Sequence, residues 1–334
     1  VKDINKGVLI LSGDVPLVEA STIRGLINEF TREKCGGIIC TSKVSDPSGY
    51  GRIIKAPDGN IIKIAEEKNA GLFERKIKEI NSGVYVFNAD ALKRYIKSVK
   101  KDRLKGEFYL TDVIEMMSKN AIKIRAKDVD CAETSGINDR VQLMEANRVK
   151  NKKNLEKLAK SGITIADFNT VFISGKVNIG RDTVIKPFTV ITGPVTIGPN
   201  CIIGPSSHIR PGTKIGSHCK IGNYVEVKNS VIADHVNVSH LSYIGDTTIG
   251  SGTNIGAGTI TANYDGVKKH RTIIGKNVSV GSNTVFVAPV KVGDNVTVAA
   301  GSVVTDDVPA GALVIARSRQ VVKKEWKKKH LKKR

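Results

Sequence analysis

The sequence predicts an α/β sheet domain followed by a parallel β-helix, and two observations lead to this prediction. In the first part of the chain, short apolar runs alternate with amphipathic segments, an arrangement typical of α/β sheets. In the second part, an aliphatic residue returns every six positions, often with glycine directly after it. The length of 334 residues is enough for about two domains.

The α/β part opens with an apolar run that we assign to a strand, and further strands and helices follow in alternation. The predicted strands are residues 8–12, 37–44, 61–65 and 84–87, and the predicted helices are residues 21–34, 89–100 and 111–119. Along the whole chain we expect a sheet domain over 1–138, a linker helix over 139–162, a β-helix over 163–317 and a basic tail over 318–334.

The six-residue repeat starts at Ile179 and holds its register to Val227. Steps of five residues then lead to Ile232 and Ile249, and a polar insertion follows Ile255 before the repeat resumes. A period of six fits neither an α-helix nor simple strand alternation, but it suits short strands joined by tight corners. The pattern resembles the left-handed hexapeptide β-helix of acyltransferases, in which three hexapeptides form one triangular coil.

The composition excludes several classes of protein. A hydrophobic share of 40% argues against a wholly disordered chain, and the apolar runs are too short to span a bilayer. The five cysteines form no CxxC pair, so neither a disulfide framework nor a zinc site is favoured, and we expect a soluble cytoplasmic protein. Nine Lys or Arg against one Glu in residues 319–334 supply +8 of the net charge of +21.

Several sequence strings are shared with one family over almost the whole chain. They are residues 11–17, 49–52, 79–83, 106–112, 210–212, 223–228, 239–246 and 254–266. Together they resemble the bacterial bifunctional N-acetylglucosamine-1-phosphate uridyltransferases/glucosamine-1-phosphate N-acetyltransferases. The resemblance implies a Rossmann-like nucleotidyltransferase domain before a left-handed β-helix. It also implies acetyl transfer from acetyl-CoA to glucosamine-1-phosphate, followed by uridylyl transfer from UTP to N-acetylglucosamine-1-phosphate.

The chain departs from this family at its start. The family begins with a strand and a Gly-rich loop that cradles the UTP phosphates, and no such segment precedes Asp14. Because the chain also starts at Val1 rather than Met and has no leader, we expect it to be incomplete at its N-terminus. We therefore expect it to retain only the acetyltransferase activity.

Asp14 is the candidate metal ligand of the first domain. It lies just after an apolar strand, at the carboxyl end where open sheets place ligands, although it could also cap a turn before Pro16. The resemblance implies that Asp14 and Asn138 bind Mg²⁺. It also implies that the UDP-sugar is held by Ser12, Gly13, Gly51, Glu66, Asn81, Tyr109 and Thr111, each of which alone has an ordinary turn or surface role as its alternative.

Arg210 and Lys228 are the candidate phosphate ligands of the second domain. Both occupy the same hexapeptide position, three repeats apart, so they should stack on adjacent coils. Two stacked cations favour an anionic guest such as a sugar phosphate, the alternative being solvated surface charges. His240 is the candidate general base, since an imidazole can take the amine proton near neutral pH, and we expect Glu226 to orient it. The alternative for His240 is an ordinary surface histidine.

The resemblance implies the remaining contacts of the acetyltransferase. Tyr243, Asn254 and Lys269 match residues that contact the sugar, and we expect Lys269 to lie on a loop that reaches a neighbouring subunit. Ser282 and Ala300 also share a repeat position and could line a groove or simply pack a corner. The coenzyme contacts implied by the family are Ala257, Asn263, Tyr264, Ser282, Ala300 and Arg317. The family also implies a homotrimer with active sites between subunits.

Two alternatives stay open at this point. One is another sugar-1-phosphate nucleotidyltransferase fused to an amino-sugar acetyltransferase. The other is a non-catalytic β-helix scaffold that binds nucleic acid through the basic tail, whose Lys and Arg residues would neutralise phosphate groups. We favour a tail that aids solubility or steers the coenzyme phosphates, because Trp326 is its sole aromatic residue. We expect neither nucleic acid nor a membrane as a partner.

Overall fold

A computed structural model describes residues 7–101, 106 and 108–326 of the chain. The chain divides into two compact units, residues 1–150 and 151–334. The expectation about the start of the chain, at Val1, falls outside the described residues. So do residues 327–334, which carry most of the charge of the predicted basic tail. No described helix is long and apolar enough to cross a bilayer.

The first unit is a mixed sheet with helices. Its described elements are β1 (Gly7–Leu11), α1 (Ala20–Glu33), β2 (Gly37–Lys43), β3 (Arg52–Lys55), β4 (Ile61–Ala65), a 3₁₀ turn (Glu74–Lys76), β5 (Glu79–Asn88), α2 (Ala89–Ile96), α3 (Asp112–Lys119), β6 (Ile124–Asp128), α4 (Cys131–Thr134) and α5 (Arg140–Lys160), the last of which continues into the second unit.

The long strand β5 organises this sheet. It pairs antiparallel with β1, β2 and β3, while β2 pairs in parallel with β6. Successive residues of β2 pack into opposite cores: Ile39 lies with residues of α3, and Ile38 lies with residues of α1. The sheet is therefore covered on both faces, which places ligand sites at strand ends.

Two strands of this sheet were not predicted from the sequence. The strand β3 has only two apolar residues, and it begins with Arg52, which is 2% exposed and forms an ion pair with Glu67 at 2.5 Å. In β6 apolar residues alternate with Arg125 and Lys127. A strand signal that rests on apolar runs misses both, because one strand buries a charge and the other is half polar.

The second unit is a left-handed parallel β-helix, as the six-residue repeat predicts. In the described residues its strands stack into three parallel sheets, which we call faces A, B and C. Face A contains Thr164–Ile165, Val184–Ile185, Ile202–Ile203, Lys220–Asn223, Asn237–His240, Asn254–Ile255, Ser279–Val280, Thr297–Val298 and Leu313–Val314. Face B contains Phe172–Ser174, Val190–Thr192, His208–Ile209, Glu226–Lys228, Tyr243–Gly245, Ile260–Ala262, Val285–Val287 and Val303–Val304. Face C contains Val177–Ile179, Val195–Ile197, Thr213–Ile215, Val231–Ile232, Thr247–Ile249, Thr272–Ile274 and Val290–Val292.

The repeated aliphatic residues form the interior of the coils. Ile185, Ile203 and Ile221, for example, are fully buried in one continuous core on face A. The five-residue steps shorten the coil at those positions, and the polar insertion loops out without breaking the stack, since Thr247 still pairs with Thr272. Regular strand pairing thus continues through the irregular part of the repeat.

The second half of α5 covers the first coil of the β-helix. The Asn151 side chain donates through Nδ2 to the carbonyl of Val171 at 2.8 Å and accepts through Oδ1 from the N–H of Ile173 at 2.9 Å. Leu155 is fully buried in the same core. The helix therefore satisfies an edge that would otherwise leave backbone groups unpaired.

Candidate functional sites

Asp14 and Asn138 both lie close to Gly136 in the first unit. The N–H of Ile137 donates to the carbonyl of Asp14 at 2.9 Å. A Cβ added to Gly136 would lie 3.4 Å from Asp14 Oδ2 and 3.9 Å from Asn138 Nδ2. A carboxylate and an amide are oxygen ligands that suit Mg²⁺. Among the described residues, no group of three or more His, Cys, Asp or Glu could hold a metal ion.

Four of the residues that the family resemblance implies as sugar ligands lie close together in the first unit. Thr111 Oγ1 donates to Glu66 Oε1 at 2.8 Å. The N–H of Asn81 donates to the carbonyl of Gly51 at 2.8 Å, and a Cβ added to Gly51 would lie 3.6 Å from Glu66 Oε2. The cluster combines a carboxylate, a hydroxyl and an amide, the groups that bind sugar hydroxyl and N-acetyl substituents.

The other implied sugar residues lie around this cluster. The N–H of Ser12 donates to the carbonyl of Gly83 on β5 at 2.9 Å. Gly13 faces open space, with no described atom within 4 Å of an added Cβ. The carbonyl of Tyr109 accepts from the N–H of Asp112 at 3.2 Å, in the turn that leads into α3.

Tyr85 belongs to this cluster and was not found from the sequence. Its hydroxyl accepts from Asn81 Nδ2 at 2.7 Å. Burial raises the pKa of Tyr85 to about 12, and the charges of Glu66 and Asp14 act in the same direction, so the phenol keeps its proton at neutral pH. The spacing of four residues within one strand, which places Asn81 and Tyr85 on the same face, is the signal that could have revealed it.

On face B of the second unit, Arg210 and Lys228 stack on adjacent coils, as the spacing predicts. Ile209 pairs with Val227 in register, and the N–H of Arg210 donates to the carbonyl of Val227 at 2.8 Å. Contact with the Lys269 ammonium lowers the pKa of Lys228, and the nearby Arg210 guanidinium acts in the same direction. Three cations therefore converge, which favours an anionic ligand there.

Glu226 has a different partner from the one expected. Its Oε1 accepts from Arg210 Nη1 at 2.6 Å, on face B. His240 ends a strand of face A, and Leu241, at φ +49°, turns the chain between the two faces. Among the described residues, the His240 ring has no hydrogen-bond partner, and the expectation that Glu226 orients it is not supported.

Lys269 lies in the polar insertion, as expected from the sequence, and its contacts within its own chain were not predicted. The expected contact of this loop with a neighbouring subunit stays a prediction. Lys269 pairs with Tyr264 across the polar insertion, and the N–H of His270 donates to the carbonyl of Asn263 at 2.8 Å. The insertion is thereby folded back, so that Lys269 contacts Lys228 of its own chain. A loop sequence without a repeat period gave no means to predict this return.

The other implied sugar contacts, Tyr243 and Asn254, lie on different faces of adjacent coils. Tyr243 Oη and Asn263 Nδ2 meet over Gly245, where an added Cβ would lie 2.5 Å and 2.8 Å from them. Only glycine leaves room for both groups there. Asn254 lies on face A and pairs in register with Asn237, which belongs to the strand that ends at His240.

The implied coenzyme residues form two groups. Ala257, Ser282 and Ala300 stack at the corner that follows face A, where the carbonyl of Ala257 accepts from the N–H of Asn283 at 2.7 Å. The carbonyl of Ala300 accepts from Arg317 Nη1 at 2.9 Å. Asn263 and Tyr264 follow a strand of face B instead. Within one chain, the implied coenzyme residues therefore lie at two different corners of the β-helix.

Comparison with known proteins decides the family. Residues 1–129 match the family model described as nucleotidyl transferase, and residues 191–304 match the model described as GMPPB C-terminal domain. The bifunctional protein GlmU of Caldanaerobacter subterraneus subsp. tengcongensis is 43% identical to this chain, over 98% of this chain and 79% of the relative. The GlmU proteins of Clostridium kluyveri and Acetivibrio thermocellus are 41% and 42% identical, over 98% of this chain and 79% and 78% of theirs.

This chain belongs to the GlmU family of bifunctional proteins. It is an enzyme with a nucleotidyltransferase unit followed by an acetyltransferase β-helix. Its two reactions, acetylation of glucosamine-1-phosphate and uridylylation of N-acetylglucosamine-1-phosphate, belong to UDP-N-acetylglucosamine synthesis. Because residues 1–129 match a nucleotidyl transferase model, nothing supports the expectation that only the acetyltransferase activity is retained.

Proposed function

We propose that the β-helix transfers the acetyl group of acetyl-CoA to the amine of glucosamine-1-phosphate, with His240 as the general base. The convergence of Arg210, Lys228 and Lys269 carries this proposal, because it supplies a site for the sugar phosphate. The amine attacks the thioester carbonyl and gives its proton to the imidazole as the N–C bond forms; the C–S bond then breaks, and the leaving sulfur takes the proton from the imidazolium to leave as the coenzyme thiol.

The phosphate site also sets the orientation of the sugar. Glu226 holds the Arg210 guanidinium through one of its N–H groups and leaves others for the phosphate. Tyr243 and Asn254 then provide hydroxyl and amide groups on the neighbouring positions of faces B and A. With the phosphate fixed at one end, the amine is directed toward His240.

We further propose that the enzyme is a homotrimer whose subunits together bind acetyl-CoA. The two separate groups of coenzyme residues support this, since a cyclic assembly can bring a corner of one subunit to a different corner of the next. Phe188, Tyr224 and Leu241 also support it: these bulky residues lie at the same corner of different coils with positive φ, and they are 64%, 65% and 62% exposed. Such costly, exposed apolar positions are typical of a surface that another chain covers.

In the first unit, we propose that Asp14 and Asn138 hold Mg²⁺ beside the bound nucleotide. The metal would neutralise charge on the phosphates of UTP. Ser12, Gly13 and Tyr109 would line the nucleotide-sugar site. Its hydrogen-bonding cluster, formed by Gly51, Glu66, Asn81 and Thr111, would bind the hydroxyl and N-acetyl groups of the sugar. The free state of all five cysteines is in keeping with a cytoplasmic enzyme.

The test follows both reactions in one mixture. The full chain is incubated with glucosamine-1-phosphate, acetyl-CoA, UTP and Mg²⁺, and free thiol and pyrophosphate are measured separately. We expect thiol release that requires the amino sugar, and pyrophosphate release that requires the acetylated product. Glucose-1-phosphate, which has no amine, is the control for acetyl transfer. Absence of amine-dependent thiol release would contradict the acetyltransferase proposal, and absence of pyrophosphate would contradict the proposal for the first unit.

Tyr85→Phe should weaken binding of N-acetylglucosamine-1-phosphate about 2- to 10-fold. The change removes one hydroxyl and leaves Asn81 Nδ2 without its acceptor, and a neutral hydrogen bond contributes about 0.5–1.5 kcal/mol. The measurement is isothermal titration calorimetry with the sugar phosphate. Tyr95→Phe is the matched control, because Tyr95 packs at the edge of the same core on α2. Equal affinities for the wild type and Tyr85→Phe would remove Tyr85 from the site.

A further inference from the structure

A buried carboxylate lies at the corner that follows face B. Asp246 is 7% exposed, and it adopts a left-handed conformation with φ +50°. Its Oδ1 accepts from Asn229 Nδ2 and its Oδ2 accepts from Asn263 Nδ2, each at 2.5 Å. Its N–H donates to the carbonyl of Lys228 at 3.0 Å. A buried carboxylate is costly unless it is hydrogen-bonded, and here amides from the coils on both sides supply those bonds.

These hydrogen bonds determine which end of the Asn263 amide faces the ligand. An asparagine amide can turn by half a rotation and exchange its donor for its acceptor. A carboxylate has no donor, so Asp246 accepts only from the nitrogen of Asn263. The Asn263 oxygen, which accepts no hydrogen bond from any described residue, is then the end left for a ligand.

Asp246 also lies next to the loop that carries Lys269. The carbonyl of Asn263 accepts from the N–H of His270, and Tyr264 pairs with Lys269 in the same insertion. Lys269 in turn contacts Lys228. The carboxylate therefore connects the amide of Asn263 with the cations of the phosphate site.

We propose that Asp246 is a positioning residue of the acetyltransferase, which fixes Asn263 with its oxygen as the acceptor for an amide N–H of the coenzyme's pantetheine arm. This inference rests on the proposed acetyl transfer. Asp246 touches neither substrate; it acts through Asn263. A carboxylate is required there because two amide nitrogens point at it from opposite sides.

Asp246→Asn is the informative change. The new amide has one acceptor end and one donor end, so it can no longer accept from the nitrogens of both Asn229 and Asn263, and the orientation of the Asn263 amide is no longer fixed. When Asn263 turns, it presents a donor to the N–H of the coenzyme. We expect the KM for acetyl-CoA to rise about 10-fold, the loss of one hydrogen bond of about 1.4 kcal/mol. The KM for glucosamine-1-phosphate and kcat should each change less than about threefold.

The double variant Asp246→Asn/Asn263→Asp tests the direction of the hydrogen bond. The donor and the acceptor exchange places, and a carboxylate at position 263 still offers an oxygen to the coenzyme. The KM for acetyl-CoA should return to within about threefold of the wild-type value. A residue with a merely structural role would affect both substrates equally and would not be rescued in this way.

Asp234→Asn is the matched control. Asp234 is also a corner aspartate, but its Oδ1 accepts from a single backbone donor, the N–H of Ser217 at 2.6 Å, which an asparagine can still satisfy. Its kinetic constants should match the wild type. Asn263→Ala removes the proposed acceptor itself, so it tests the idea even if Asp246→Asn does not fold.

An unchanged KM for acetyl-CoA in Asp246→Asn, or in Asn263→Ala, would overturn the inference. Equal increases in the KM values of both substrates would overturn it as well. These outcomes are compared with a wild-type enzyme that releases thiol with glucosamine-1-phosphate. If the wild type releases none, it is the proposed acetyl transfer that fails, so the two failures are distinguishable.

Discussion

Replacement of His240 by alanine should lower the kcat of acetyl transfer about 10²- to 10⁴-fold, the usual effect of losing a positioned general base. The substrate amine must lose a proton as it attacks the thioester, and His240 lies on the coil next to Lys228, at the end of a face A strand. The fold should tolerate the change, since the interior of that coil is formed by Val238 and Ile244. The measurement is thiol release at saturating concentrations of both substrates.

His235→Ala is the matched control for this prediction. His235 is an exposed histidine of the same β-helix, and its ring stacks on His218 at 4.9 Å, at a different corner. It should retain wild-type kcat and a wild-type melting temperature. A His240→Ala enzyme with kcat within about threefold of the wild type would exclude His240 as the base. An equal loss in His235→Ala would show that the effect is structural.

The β-helix could be predicted in detail because the six-residue spacing of its aliphatic residues is visible in the sequence. Each face of a coil buries an apolar side chain at the same position of the repeat, so residues such as Ile185 and Ile203 must recur at a fixed spacing and are buried as expected. The sheet of the first unit was less predictable. Arg52 in β3 is buried and forms an ion pair with Glu67. A strand that buries a charged residue does not show the apolar pattern from which strands are predicted.

The residues of the candidate acetyltransferase site also differ in how well the sequence predicts their positions. Arg210 and Lys228 could be placed together from spacing alone, because the repeat converts sequence separation into spatial proximity. The contacts of Lys269 and Asp246 could not, since they depend on a loop without a period and on corners at positive φ. The hydrogen bond between Arg210 and Glu226 also depends on the conformations of both side chains, which cannot be predicted from the repeat spacing.

Lys228→Met should weaken binding of glucosamine-1-phosphate about 10- to 100-fold, the range expected for the loss of one hydrogen bond to a charged group. The same change should raise the melting temperature of the unliganded enzyme. Lys228 is held against the Lys269 ammonium near the Arg210 guanidinium, and this repulsion lowers its pKa in the folded state. A cation that helps function at a cost in stability is a common compromise in binding sites.

The pH dependence gives this prediction a definite sign. Since the pKa of Lys228 is lower in the folded state than in the unfolded state, the unfolded chain binds the proton more tightly. The stability penalty is therefore fully present at neutral pH and is lost as the pH rises through the ordinary lysine range. The stability difference between Lys228→Met and the wild type should shrink accordingly.

Thermal unfolding with and without glucosamine-1-phosphate measures both effects. For Lys228→Met we expect a higher melting temperature in the free enzyme and a smaller increase on adding the sugar phosphate. Lys220→Met is the control: Lys220 lies one strand earlier, exposed on face A, and its replacement should leave the ligand-induced increase at its wild-type size. A lower melting temperature for free Lys228→Met, together with an undiminished ligand-induced increase, would show that the three cations do not form the phosphate site.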